Sequence, residues 1–119
     1  MDDYSLEQAV KKTAPPDDEG QLTVDIFQTD KEIVIQSTIA GVDPNNIDIS
    51  ITKSRVTIRG HRESSEKIDS SDFYHQEIYW GSFSRSIILP VDIDPDRSRA
   101  SMKNGILTVR LPKLTGKRP

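Results

Sequence analysis

The chain is predicted to be an all-β protein, an antiparallel β-sandwich of immunoglobulin-like type. Three observations carry this. Apolar residues recur at every second position in several short runs, the period of a strand with one dry face. Turn-forming residues separate the runs at short intervals. No internal stretch shows a convincing 3.6-residue period. The count is about eight short strands, and 119 residues make one domain rather than two.

The first 20 residues stand apart as a short flexible arm and linker. Ser5 and Gln8 fit a capping box, and Leu6, Ala9 and Val10 share one face. Such a segment is too short to be a stable helix alone in water, and a frayed tail is favoured over a docking segment. Ala14-Pro15-Pro16-Asp17-Asp18-Glu19-Gly20 breaks the pattern. Adjacent carboxylates in such a linker are solvated more often than they hold a metal.

From Gln21 the period is two. Leu22, Val24 and Ile26 share a face, and Asp30-Lys31 turns the chain. Ile33, Ile35, Ser37 and Ile39 follow on one face, with Val34 on the other. Gly41-Val42-Asp43-Pro44-Asn45-Asn46 is a loop. Ile47, Ile49 and Ile51 alternate with Asp48 and Ser50 as a half-buried strand. Lys53-Ser54 leads into Val56, Ile58 and Gly60. His61 to Asp72 is polar and aperiodic, too long for a tight hairpin, and long loops in compact domains are usually functional or disordered. Aromatics return at Phe73, Tyr74, Tyr79 and Trp80. Phe83, Arg85, Ile87 and Leu89 fall on one face of the next strand. Arg85 is odd there, because a buried guanidinium needs a carboxylate or carbonyls.

The last hairpin is the clearest element. Ala100 and Met102 alternate with Ser101 and Lys103; Leu107, Val109 and Leu111 alternate with Thr108 and Arg110. Asn104-Gly105 between them tolerates positive φ, as a tight turn requires. Pro112 ends the second strand for want of an N–H.

Composition excludes several classes. A formal net charge of −3, from 16 basic and 19 acidic residues, gives no electrostatic reason to expect nucleic acid or an anionic membrane as partner. With no cysteine there is neither a disulfide framework nor a thiolate metal site. The acidic start lacks the features of a secretory signal, and no apolar run approaches the roughly 20 residues that span a bilayer, so a cytoplasmic protein is expected. Asp92-x-Asp94-x-Asp96 opens like a calcium loop but has Arg97 where glycine is needed and Lys103 where glutamate is needed. His61 and His75 lack a third ligand at useful spacing. No nucleophile elbow or phosphate-binding loop is present. No cofactor, metal or catalytic residue is expected, and the chain is not read as an enzyme.

Four stretches, in order and in register over roughly residues 22 to 113, resemble the α-crystallin domain of small heat-shock proteins. They are Ile39-Ala40-Gly41-Val42-Asp43-Pro44 to Ile47, Val56-Thr57-Ile58-Arg59-Gly60-His61-Arg62, Tyr74-His75-Gln76-Glu77 through Gly81-Ser82-Phe83-Ser84-Arg85 to Leu89-Pro90, and Ala100 through Asn104-Gly105-Ile106-Leu107-Thr108-Val109 to Pro112-Lys113. The third has the bacterial and plant form. The resemblance implies an α-crystallin domain over residues 21–113 with a dimerisation loop at 62–79 and a short tail at 114–119. It implies an ATP-independent holdase that binds partly unfolded clients and a homodimer made by strand exchange. On that reading Arg85, Tyr74, His75, Glu77, Tyr79 and Phe83 lie at the dimer interface. Ile47, Ile49, Ile51, Ala100 and Met102 line a groove for a client or for an I-x-I tail. The chain departs from the family at Ile88, often basic there, and in its short arm and a tail without I-x-I, so assembly is expected to stop near the dimer. The alternative is an adaptor or co-chaperone that uses the same sandwich to bind one folded partner.

Overall fold

A computed structural model of the chain describes residues 20–114. The expected N-terminal arm, its Leu6–Val10 face and the tail beyond Leu114 lie outside the described residues. Eight strands run in order: β1 (Gly20–Gln21), β2 (Val24–Gln28), β3 (Glu32–Thr38), β4 (Ile47–Ile51), β5 (Arg55–Arg62), β6 (Gly81–Ile88), β7 (Arg99–Lys103) and β8 (Ile106–Pro112). There is no α-helix among the described residues. Two four-stranded sheets, ordered β1-β6-β5-β4 and β2-β3-β8-β7, form the sandwich.

The period-two residues face each other across it. Ile33 and Ile35 of one sheet, with Ile39 just past the end of β3, meet Val56, Ile58, Phe83 and Ile87 of the other, with Val109 and Leu111, in one buried cluster. Ser37 in that row is buried too, and its hydroxyl donates to the Thr23 carbonyl at 2.9 Å. The hairpin turns at Asn104 (φ 53) and Gly105 (φ 78), the two consecutive positive φ values of a type I′ turn. Met102 pairs with Leu107 and Lys103 with Ile106, as the alternation requires. The two Asp-Pro loops share one device: Asp43 accepts from the Asn45 N–H at 2.9 Å and Asp94 from the Asp96 N–H at 3.1 Å, each capping a 3-10 turn. The Asp94 carboxylate therefore serves a loop geometry.

Two local readings differ from the structure. Leu22, Val24 and Ile26 do not belong to one strand. The chain changes sheets between Gln21 and Val24, β1 pairs with β6 in parallel, and only β2 pairs with β3. Leu22 sits at the crossover, buried, and starts no run of its own. Val34 points away from the core, as expected, yet is fully buried. Its cross-strand neighbours on that outer face are Phe27 and Arg110. Arg110 is drawn over the face by Glu32, to which it donates at 3.1 Å, and Arg99 stands 3.7 Å from the same carboxylate. Long side chains with polar tips cover apolar surface in this way.

Candidate functional site

Among the described residues the strand order leaves edges open. β4 ends one sheet and β7 the other, and the two edges lie on the same side of the sandwich. Between them is a hollow of about 180 Å³ lined by Pro44, Ile47, Ile49, Ala100, Met102 and Leu107, with Ser101 at its rim. Ile47, Ile49 and Met102 are half-buried, with one flank packed on the core and the other facing out. Four of the five residues expected in a groove are thus brought together. Ile51 continues the row of β4 but lies beyond the hollow. Leu107 was legible in principle, because the Asn-Gly turn pairs it with Met102. Pro44 enters through the 3-10 turn that Asp43 caps.

The second feature is the connection from β5 to β6, residues 63–80, which pairs with neither sheet and holds only a 3-10 turn at Ser70–Asp72. It carries apolar side chains into solvent: Tyr74 is fully exposed, Ile78 is 61% exposed, and Ile68, Tyr79 and Trp80 are also out. Isolated exposed apolar residues are ordinary, but a row of them in one long loop marks a surface for something else. His75 and Glu77 lie 2.8 Å apart on it, both exposed. Four of the six residues expected at the interface are on this loop. Phe83 is not: it lies in the core at 3% exposure, on the inward row of β6. Arg85 is half-buried on the same row, opposite Ile58, and its guanidinium donates to the Leu22 carbonyl at 2.5 Å. Its acceptor within the protomer is therefore a carbonyl at the sheet crossover.

The third feature is β2, whose outer edge has no neighbour among the described residues. Its Ile26 and Phe27, on opposite faces, are 44% and 45% exposed. An edge with free N–H and C=O groups and apolar side chains on both faces is a template for another strand. Lys113 holds the far end of this strand. Its ammonium donates to the Gln28 amide oxygen and to the Thr29 carbonyl, both at 2.8 Å, while its own N–H donates to the Lys31 carbonyl. Neither β2's free edge nor Lys113's role was readable from alternation, because edge position depends on which strands pair.

The sequence profile of the Hsp20/alpha crystallin family matches residues 25–119. Spore protein SP21 of Stigmatella aurantiaca is 38% identical over 89 residues, covering 75% of this chain and 53% of that protein. The 16.9 kDa class I heat shock protein 3 of Oryza sativa subsp. japonica is 33% identical over 97 residues, covering 81% of this chain and 65% of that protein. The chain thus spans a little over half the length of the first of these relatives. Among solved structures, heat shock protein 16.0 from Schizosaccharomyces pombe superposes with a TM-score of 0.75 at 27% identity, covering 85% of this chain and 94% of that one. The hspA protein from Xanthomonas axonopodis superposes with a TM-score of 0.72 at 33% identity, covering 80% and 95%. On the profile, the relatives and the shared sandwich together, the chain belongs to the Hsp20/alpha crystallin family.

Proposed function

We propose that this chain acts as an ATP-independent holdase of the small heat-shock type, binding partly unfolded proteins in the cytoplasm and keeping them from aggregating. The observation that carries the proposal is the apolar groove between the edge strands β4 and β7, on a sandwich whose core is otherwise closed. An extended segment of a client can add to such an edge, with main-chain hydrogen bonds giving affinity and alternate side chains filling the hollow. No bond is made or broken, so neither a cofactor nor a catalytic group is required. The working unit is a homodimer in which the 62–79 loop of each protomer supplies a strand to the partner's β2. Tyr74, His75, Glu77 and Tyr79 are its contact residues, and Arg85 and Phe83 hold the sheet beneath. The assay is light scattering of several unrelated clients heated with this protein and without ATP.

The second reading is an adaptor for one folded partner. The small volume of the groove favours it, since about 180 Å³ suits two or three side chains of a defined segment. Protection of a single client and of no other would select this reading.

The groove itself makes a prediction. A peptide carrying I-x-I is expected to bind along β4 and β7. Each isoleucine contributes roughly 1.5–3 kcal/mol before ordering costs, which places the dissociation constant at about micromolar to millimolar. Amide shifts should concentrate in Ile47–Ile51 and Arg99–Lys103. Shifts confined to other strands would contradict it.

A further inference from the structure

We propose that Arg62 is the positioning residue that aims the 63–80 loop away from its own sandwich, where a partner can take it up. The inference rests on the strand-exchange reading above.

Arg62 is the last residue of β5 and the last of the inward row Val56, Ile58, Gly60, Arg62. The row is apolar until its end, where a guanidinium closes the open end of the sandwich. Nε–H donates to the Ala40 carbonyl at 3.0 Å, and Nη1–H donates to the Tyr79 carbonyl at 3.1 Å. The guanidinium carbon lies 5.6 Å from the centre of the Phe83 ring. Those contacts belong to three different pieces of chain. Ala40 lies two residues past the end of β3 and precedes Gly41, whose φ of 80 turns the chain. Tyr79 is where the long loop comes back. Phe83 is buried core. One side chain therefore joins the loop's exit to its return, and fixes both to the opposite sheet and to the core.

Among the described residues the return is held by little else. The Tyr79 hydroxyl donates to the Ser82 carbonyl at 2.7 Å, which fixes the ring of Tyr79 but not its main chain. His61 stands 3.3 Å from the Ser82 hydroxyl on the outer face. The loop's exposed Tyr74 and Ile78 would gain by collapsing onto any nearby apolar surface, and the protomer offers Ile26, Phe27 and the β4–β7 hollow. A fixed neck limits the directions the loop can take and so favours uptake by a second copy. It also reduces the freedom lost when the loop docks. Only arginine suits the position. Its planar fork spreads donors over separate nitrogens and so reaches two carbonyls on different pieces of chain while lying over a ring, whereas a lysine ammonium carries all its donors on one nitrogen and has no plane to lay on the ring.

The test uses the full chain as wild type, Arg62→Ala and Arg62→Lys. The dimer dissociation constant is read by sedimentation equilibrium, and backbone order parameters are read across Ile78–Trp80 and, as a reference, across β3 and β8. Arg62→Ala should raise the dissociation constant about tenfold or more and lower the neck order parameters from about 0.85 toward 0.6, with β3 and β8 unchanged. Arg62→Lys should remain closer to Ala than to wild type. An unchanged dissociation constant, a loosening spread equally through β3 and β8, or full rescue by lysine would overturn the proposal. A wild-type chain that is monomeric at every concentration would overturn strand exchange instead. The neck order parameters would then decide alone whether Arg62 fixes the loop.

Discussion

Gly60→Ala is expected to destabilise the fold by about 1–3 kcal/mol or more, which lowers the thermal midpoint by roughly 5–20 °C. A methyl group at this position would stand 2.4 Å from Phe83 Cζ and 2.6 Å from Cε1, and 3.3 Å from the Asn46 carbonyl oxygen. Real carbon contacts do not reach the first two distances, so something must move. The ring has nowhere to go: it is buried in the core, and the Arg62 guanidinium lies over it. Gly60 pairs with Phe83 on one side and with Ile47 on the other, so a shift would disturb the start of the groove strand as well. Thr57→Ala, on the wet face of the same strand, removes only a hydroxyl contact to Ser86 at 3.2 Å and should change the midpoint little. Equal midpoints for Gly60→Ala and wild type in a calorimetric scan would contradict the packing described.

Removal of Glu63 to Gln76 is expected to abolish the dimer while leaving a folded protomer. The truncation joins Arg62 to Glu77, so four residues connect β5 to β6. That length closes a hairpin, and the register already sets Arg62 opposite Gly81. The core contains no residue from the deleted segment. What is lost is Tyr74, His75 and the length of chain needed to reach a partner's β2. At micromolar concentration the wild-type chain should sediment as two protomers and the truncated chain as one, both with a strand-rich circular dichroism spectrum. A truncated chain that still sediments as a dimer would show that another surface joins the protomers.

The parts of this architecture that depend on neighbouring residues were legible in the sequence. The Asn104-Gly105 turn set the β7–β8 register, and with it the placing of Met102 against Leu107. The alternation of Ile47, Ile49 and Ile51 announced a strand with one flank open. The polar stretch after His61 announced the long loop. What depends on distant residues was not legible. Leu22 looked like the first member of a run because nothing in its own segment says that β1 and β2 belong to different sheets. Phe83 was placed at an interface by the resemblance alone, and nothing in its own segment shows that the missing side chain at Gly60 leaves the space into which its ring packs within the protomer. Arg62 read as the start of a loop, since its acceptors, Ala40 and Tyr79, stand far from it along the chain. Arg85 shows both sides. Its charge among apolar neighbours correctly required a carbonyl or carboxylate, while the identity of that acceptor, the Leu22 carbonyl, followed only from the sheet crossover.

The central claim is that the β4–β7 groove of this sandwich holds unfolding chains, and light scattering of heated clients tests it most directly. Two unrelated clients are heated alone, with an equal number of subunits of this protein, and with an excess, in buffer without nucleotide. The account predicts that scattering of both falls steeply near equal subunit ratios, and that the I-x-I peptide at saturating concentration partly restores it by occupying the β4–β7 groove. Scattering of both clients that is unchanged even by an excess of the protein would contradict the claim.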